Sequence, residues 1–184
     1  MSIFKSNREK RLWLFTLVVL LAIFATLIFG WPLARFLRSK GLLTIGFIAC
    51  LSLVVLFILL HGLQNRTSKS EVVVWLGIVT VYLLVLLRMA IPEERGHLIE
   101  YSVLAIFIHE ALRERASQGG QISSPWFMAF LLTVLVGVLD ESIQLFMPNR
   151  VFDPFDILFN TLAAFLAIGS SLVLFWVRTK VRKL

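Results

Sequence analysis

The chain is poor in the residues on which soluble catalysts and secreted scaffolds depend. It has one cysteine in 184 residues, Cys50, set inside an apolar run. A single thiol cannot close an intrachain disulfide and has no second sulfur with which to share a metal, so Cys50 reads as a small buried hydrophobe. Charge is scarce: Asp, Glu, Lys and Arg make up 16% of the chain, against about a quarter in soluble domains. Acids are scarcer than bases, 11 against 18. No glycine-rich phosphate loop, Ser/His/Asp nucleophile signature, internal repeat or low-complexity segment is present.

The chain is instead 59% apolar, with a mean hydropathy of +0.89. So short a chain cannot hide that much apolar surface by packing on itself, so lipid must solvate part of it. Six apolar stretches stand out: Leu12 to Gly30, Leu42 to Leu60, Val72 to Ile91, Glu93 to Leu112, Trp126 to Phe146 and Asp156 to Val177. Each has about twenty residues, enough at about 1.5 Å per residue to cross a hydrocarbon core of about 30 Å. None alternates as a barrel strand would, and lipid admits only helices or closed barrels. The expected fold is therefore all-α, a polytopic transmembrane bundle of about six helices. Residues 1–71 would supply two N-terminal helices, and residues 72–184 the polar domain with a basic tail. The first stretch follows Lys5, Arg8, Lys10 and Arg11, a basic start that signal peptides share, but it is too long for one and lacks a clear small-residue cleavage site. It reads as a retained helix anchored by Trp13 and Trp31.

The net charge of +7 would suggest nucleic acid in a soluble protein. Here the bases sit in tails and loops, where they set topology, and no nucleic-acid partner is expected. With the N-terminus inside, the inner segments hold twelve Lys and Arg and the outer segments six. The positive-inside rule then places both termini in the cytoplasm. Arg35, Arg38 and Lys40 in the first outer loop run against the trend. The pattern carries no signal of oligomeric state.

The polar residues gather in the second half. His97, Glu100 and Tyr101 stand at i, i+3 and i+4, one face of a helix. Asp140 and Gln144 share a face near the end of the fifth span, with Glu141 flanking Gln144. Asp153, Asp156 and Asn160 share a face at the start of the sixth. Successive spans run antiparallel, so the start of the fourth, the end of the fifth and the start of the sixth meet at one membrane face. Asp140 lies about 9 Å inside the end of its helix, where an ionised carboxylate costs several kcal/mol unless paired or hydrated. Arg95, His97, Arg150 and Arg88 are its candidate partners.

Three segments, Glu94-Arg95-Gly96-His97-Leu98-Ile99-Glu100-Tyr101, Asp140-Glu141-Ser142-Ile143-Gln144 and Arg150-Val151-Phe152-Asp153-Pro154-Phe155-Asp156 with Asn160, resemble the VanZ-like family of bacterial membrane proteins. That family is named after a teicoplanin-resistance accessory protein. The likeness covers roughly Val72 to Val177 and implies a small multi-helix membrane domain with a link to the cell envelope and glycopeptide resistance. It implies no particular reaction. Where the family tends to carry glycine after the asparagine, this chain has Ala163 and Ala164.

Some of these residues also have ordinary structural reasons, which leave Asn160, on the same face as Asp153 and Asp156, unexplained. Asp153 before Pro154 makes an N-cap with proline at N1, and Asp156 then complements the helix dipole. Glu93 and Glu94 suit a first helical turn. His61, and His109 with Glu110, Arg113, Glu114 and Arg115, read as interfacial helix ends. Asp140 and Glu141 have no such reason, and paired acids inside a membrane helix point to function.

Three kinds of function fit. The first is an enzyme acting on an outer-leaflet amphiphile, such as a lipid head group or a lipid-linked glycan. Asp140 or Glu141 would be its acid or base. His97 would be the alternate proton carrier, oriented by Glu100, Asp156 and Asn160, while Arg95 and Arg150 hold a phosphate or carboxylate. Tyr101 and Gln144, with Glu94 and Asp153, complete the lining. The second is a binding module using the same hollow without chemistry. The third, a transporter, fits least, because the polar set does not cross the bilayer and no inverted repeat is evident. The donors also admit a divalent cation, held by His97, Glu100, Asp140 and Asp156, though no spacing is diagnostic of one.

Overall fold

A computed structural model describes residues 4–42, 45, 68–88, 92–147 and 152–181. The described residues fold into helices α1 (Asn7–Ser39), α2 (Lys69–Arg88), α3 (Pro92–Ser117), α4 (Pro125–Gln144) and α5 (Pro154–Val181), with no strand among them. The expected second span, Leu42 to Leu60, and His61 fall almost wholly outside the described residues. Four of the five helices are long and apolar enough to cross a membrane: α1 over Asn7–Gly30, α2 over Ser70–Arg88, α4 and α5. The protein is a polytopic transmembrane helical bundle.

The exception, α3, is the least apolar helix and also the central one, packed against α1, α4 and α5. Leu98, Tyr101, Leu104, Ala105, Ile108, Ala111 and Leu112 are buried at the three- and four-residue spacing of a helical stripe. Its neighbours shield α3 from lipid, so it can carry polar side chains where a lipid-facing helix could not. Outside this core, Leu83, Leu87, Leu135, Phe155, Phe165 and Trp176 are exposed, as a hydrocarbon solvent requires.

Lipid tails are as apolar as leucine, so helices associate in lipid by close packing and interhelical hydrogen bonds rather than by escape from water. Small residues supply the closeness. Ala129, Thr133 and Gly137 recur every four residues along α4 and are buried, as are Ala163, Ala164 and Ala167 on α5. At Ala163 and Ala164 a methyl group is small enough for close packing, and the Ser102 hydroxyl of α3 donates to the Ala163 carbonyl at 3.4 Å.

Local signals set the helix ends. Ser6 caps α1, its hydroxyl accepting the Glu9 N–H at 3.0 Å. α1 continues through Pro32 to Ser39, well past the expected limit at Gly30. Membrane helices tolerate the backbone bond that proline removes. α3 ends in a Schellman turn: Gly119 adopts φ +77°, its N–H donates to Ala116, and the Gly120 N–H donates to Arg115 at 2.9 Å. A Cβ at Gly120 would stand 2.7 Å from the Arg115 carbonyl oxygen. This turn sends α4 back along α3, and α5 returns again. The start of α3, the end of α4 and the start of α5 therefore share one end of the bundle.

The opposite end is tied by ion pairs. Arg115 of α3 meets the fully buried Glu9 of α1 at 3.2 Å. Arg8 reaches Glu110 and Glu114 at 3.2 and 3.3 Å, and Ser6 donates to Glu114 at 2.8 Å. Arg178 of α5 clasps Glu71 of α2 at 2.5 Å. The N-terminal end of α1 thus meets the C-terminal end of α3, and the N-terminal end of α2 meets the C-terminal end of α5. His109 departs from the expected interfacial reading: it is buried, and its Nδ1 makes no hydrogen bond. It faces the bundle rather than the ion pairs around it.

Candidate functional site

The end opposite the ion pairs holds a hollow built by three helices. From α3, His97 projects between the acids of α4 and α5. Its Nδ1 faces Asp140 Oδ2 at 4.0 Å and its Nε2 faces Asp156 Oδ2 at 3.9 Å. The Tyr101 ring stacks one turn further along, its centroid 6.1 Å from that of His97, as the i, i+4 spacing dictates. Tyr101 is fully buried, and its hydroxyl lies beside Asp140 without closing a hydrogen bond.

α4 contributes Asp140, Glu141 and Gln144, all buried. Gln144 turns to Glu141 and not to Asp140: its amide donates to Glu141 Oε1 at 2.6 Å. The second oxygen of Glu141 accepts the Asp153 backbone N–H at 3.2 Å, across the turn that leads to α5. Glu141 therefore ties the end of α4 to the start of α5. Asp153 is exposed and acts as the cap, its side chain accepting the Phe155 N–H at 2.9 Å. Asp156, in the first turn of α5, is half-buried and faces His97.

One turn deeper on α5 lies Asn160, 1% exposed, with neither amide atom hydrogen-bonded. It packs directly on Gly137 of α4, where an added Cβ would stand 3.0 Å from the Asn160 Cβ and 3.1 Å from its Nδ2. Gly137 is a site residue that sequence reasoning passes over. A glycine at four-residue spacing with Ala129 and Thr133 is the available signal.

Other expected residues lie further from this centre or beyond view. Glu100 and Arg95 are half-buried on α3, while Arg88 is exposed at the end of α2. Arg150 and the side chain of Glu94 lie outside the described residues. Among the described residues, the metal-type donors that converge are His97, Glu141 and Asp156. One ligand atom from each lies within 4.8 Å of the others. Glu141 thus stands in this set, where Glu100 and Asp140 were the expected companions of His97 and Asp156.

The geometry joins the two halves of a polar lining. A histidine and three acids stand at one membrane end, and buried amide and hydroxyl groups extend the polar surface inward. Unsatisfied polar atoms inside a protein cost about 1–3 kcal/mol each, so such a lining calls for a polar guest or water. Residues 47–176 match the family model described as VanZ/LLP1, a stretch that includes every residue of this hollow and begins before α2. No curated protein and no solved structure matches the chain.

Proposed function

The chain belongs to the VanZ/LLP1 family, and from that premise we propose that it takes the polar head group of a cell-envelope amphiphile into the hollow between α3, α4 and α5. The observation that carries this reading is the burial of Asp140, Glu141, Tyr101 and Asn160 at one end of a bundle whose outer surface is apolar. An amphiphile matches both parts. Its chains can lie along the exposed leucines and phenylalanines, while its head group meets the buried polar atoms. Twice as many Lys and Arg in the inner segments as in the outer ones support an extracytoplasmic mouth and cytoplasmic termini in a bacterial inner membrane. Phosphate- or sugar-bearing envelope lipids are the ligand class with that location and chemistry. The family's name extends the reading to glycopeptide resistance through envelope precursors.

Purification in native lipid, followed by mass spectrometry of what stays bound, tests the proposal. Wild type should retain an envelope lipid that an Asp140→Asn, Glu141→Gln double variant of equal helicity loses. Equal lipid content in the two would refute it.

A further inference from the structure

We infer that the hollow is a divalent-cation site in which His97, Glu141 and Asp156 are the ligands and Asp140 orients the imidazole. This deepens the head-group reading and rests on it for its biological purpose, but the geometry stands alone. The three ligand atoms lie within 4.8 Å of one another and come from three different helices. A tetrahedral site with bonds of about 2.1 Å has edges of about 3.4 Å, so small side-chain rotations close the set.

The surroundings of each ligand are those that metal sites use. The His97 nitrogens are divided between two acids, Nε2 facing Asp156 at 3.9 Å and Nδ1 facing Asp140 at 4.0 Å. A metal-bound histidine commonly directs its other nitrogen at a carboxylate, which sets the tautomer and the ring orientation. Ligating carboxylates are hydrogen-bonded in turn. Glu141 is held by the Gln144 amide at 2.6 Å and the Asp153 N–H at 3.2 Å, and each of its oxygens retains a lone pair for an ion.

Asn160 is an independent pointer. It is 1% exposed, one turn beyond Asp156 on the same face, and both of its amide atoms lack partners. The buried Tyr101 hydroxyl beside Asp140 is another. A hydrated cation gives both groups water to bond. It also neutralises most of the charge of the three acids, so that a hollow which alone repels an anionic head group can take one through the ion. Imidazole with carboxylates and no thiolate favours Mn²⁺ or Zn²⁺ over Mg²⁺ or Ca²⁺.

Full-length protein in nanodiscs, stripped with chelator and equilibrated separately with Mn²⁺ and Zn²⁺, provides the test. Elemental mass spectrometry should find one ion per chain in wild type and none in a Glu141→Gln, Asp156→Asn double variant. Asp140→Asn should weaken binding about 10- to 100-fold, and Glu114→Gln at the far end should leave it unchanged. With Mn²⁺ bound, the nitrogen hyperfine coupling should vanish in His97→Gln. Wild type that binds no ion overturns the inference whatever the variants do, as does a coupling that survives His97→Gln. Lipid retained by ion-free wild type removes the cation and leaves the head-group pocket. Ion uptake with no lipid retained does the reverse.

Discussion

Tyr101 and Asn160 bring polar atoms into the interior that the protein itself leaves without hydrogen bonds, whereas Leu98 and Leu104, one turn either side of Tyr101 on α3, are ordinary buried packing. Removing a buried hydroxyl that has no partner relieves a desolvation cost. Tyr101→Phe is therefore expected to leave the melting temperature in detergent unchanged or higher, while weakening retention of the bound lipid. A fall in both would mean that the hydroxyl has a structural partner. Gly137 makes the opposite case. A methyl group there would crowd the Asn160 side chain at 3.0 Å, and overpacking of this kind costs about 1–3 kcal/mol. Gly137→Ala should lower the melting temperature, and adding Asn160→Ala should restore only part of the loss, because alanine sheds the amide at 3.1 Å but keeps the Cβ at 3.0 Å. The positions of His97, Asp140 and Asp156 on facing helix ends are legible from i, i+3 and i+4 spacing. The role of Gly137 is not, because it depends on which residue of α5 lies opposite.

α3 shows how an element's composition can mislead about its place. On hydropathy it is the weakest span, and it is nevertheless the helix around which α1, α4 and α5 pack. α1, expected as a retained membrane helix, places Ile23 in the core and locks to α3 through Glu9 and Arg115. The Ser6-x-x-Glu9 capping pattern is visible in the sequence, but the arginine 106 residues away that meets Glu9 is not. Glu9 is buried while Arg115 is over a third exposed, so the cost of breaking the pair falls below the 3–5 kcal/mol of a fully buried one, at about 2 kcal/mol. Glu9→Gln should lower the melting temperature accordingly, and Glu9→Gln with Arg115→Gln should lower it less than the sum of the single changes. Additive losses would show that the two groups act independently. The Gly119-Gly120 turn is equally local in origin and sets the reversal between α3 and α4, which brings the end of α4 level with the start of α3.

At the scale of the whole molecule the two ends differ in kind. One is laced with ion pairs among Arg8, Glu9, Glu110, Glu114, Arg115, Glu71 and Arg178. The other holds His97 among acids. If the positive-inside rule decides orientation, cysteine placed at Gln118 in a Cys50→Ser background is labelled from the cytoplasmic side and cysteine at Phe155 from outside. Labelling of both from one side would break the antiparallel threading on which the hollow depends. Apolar runs of membrane length, separated by short polar turns, are enough to dictate a helical bundle. With their order known, they are also enough to dictate which helix ends share a face, because each crossing reverses direction. Rotation of each helix about its axis and the distance of its closest approach are another matter. Gly137 sets them by letting Asn160 of α5 pack on α4, and Ala163 by letting α5 approach Ser102 of α3, and such approach is a property of pairs distant in sequence. Only the assembled bundle sets His97 between Asp140 and Asp156 and brings Glu141, in place of Glu100 and Asp140, into the converging donor set.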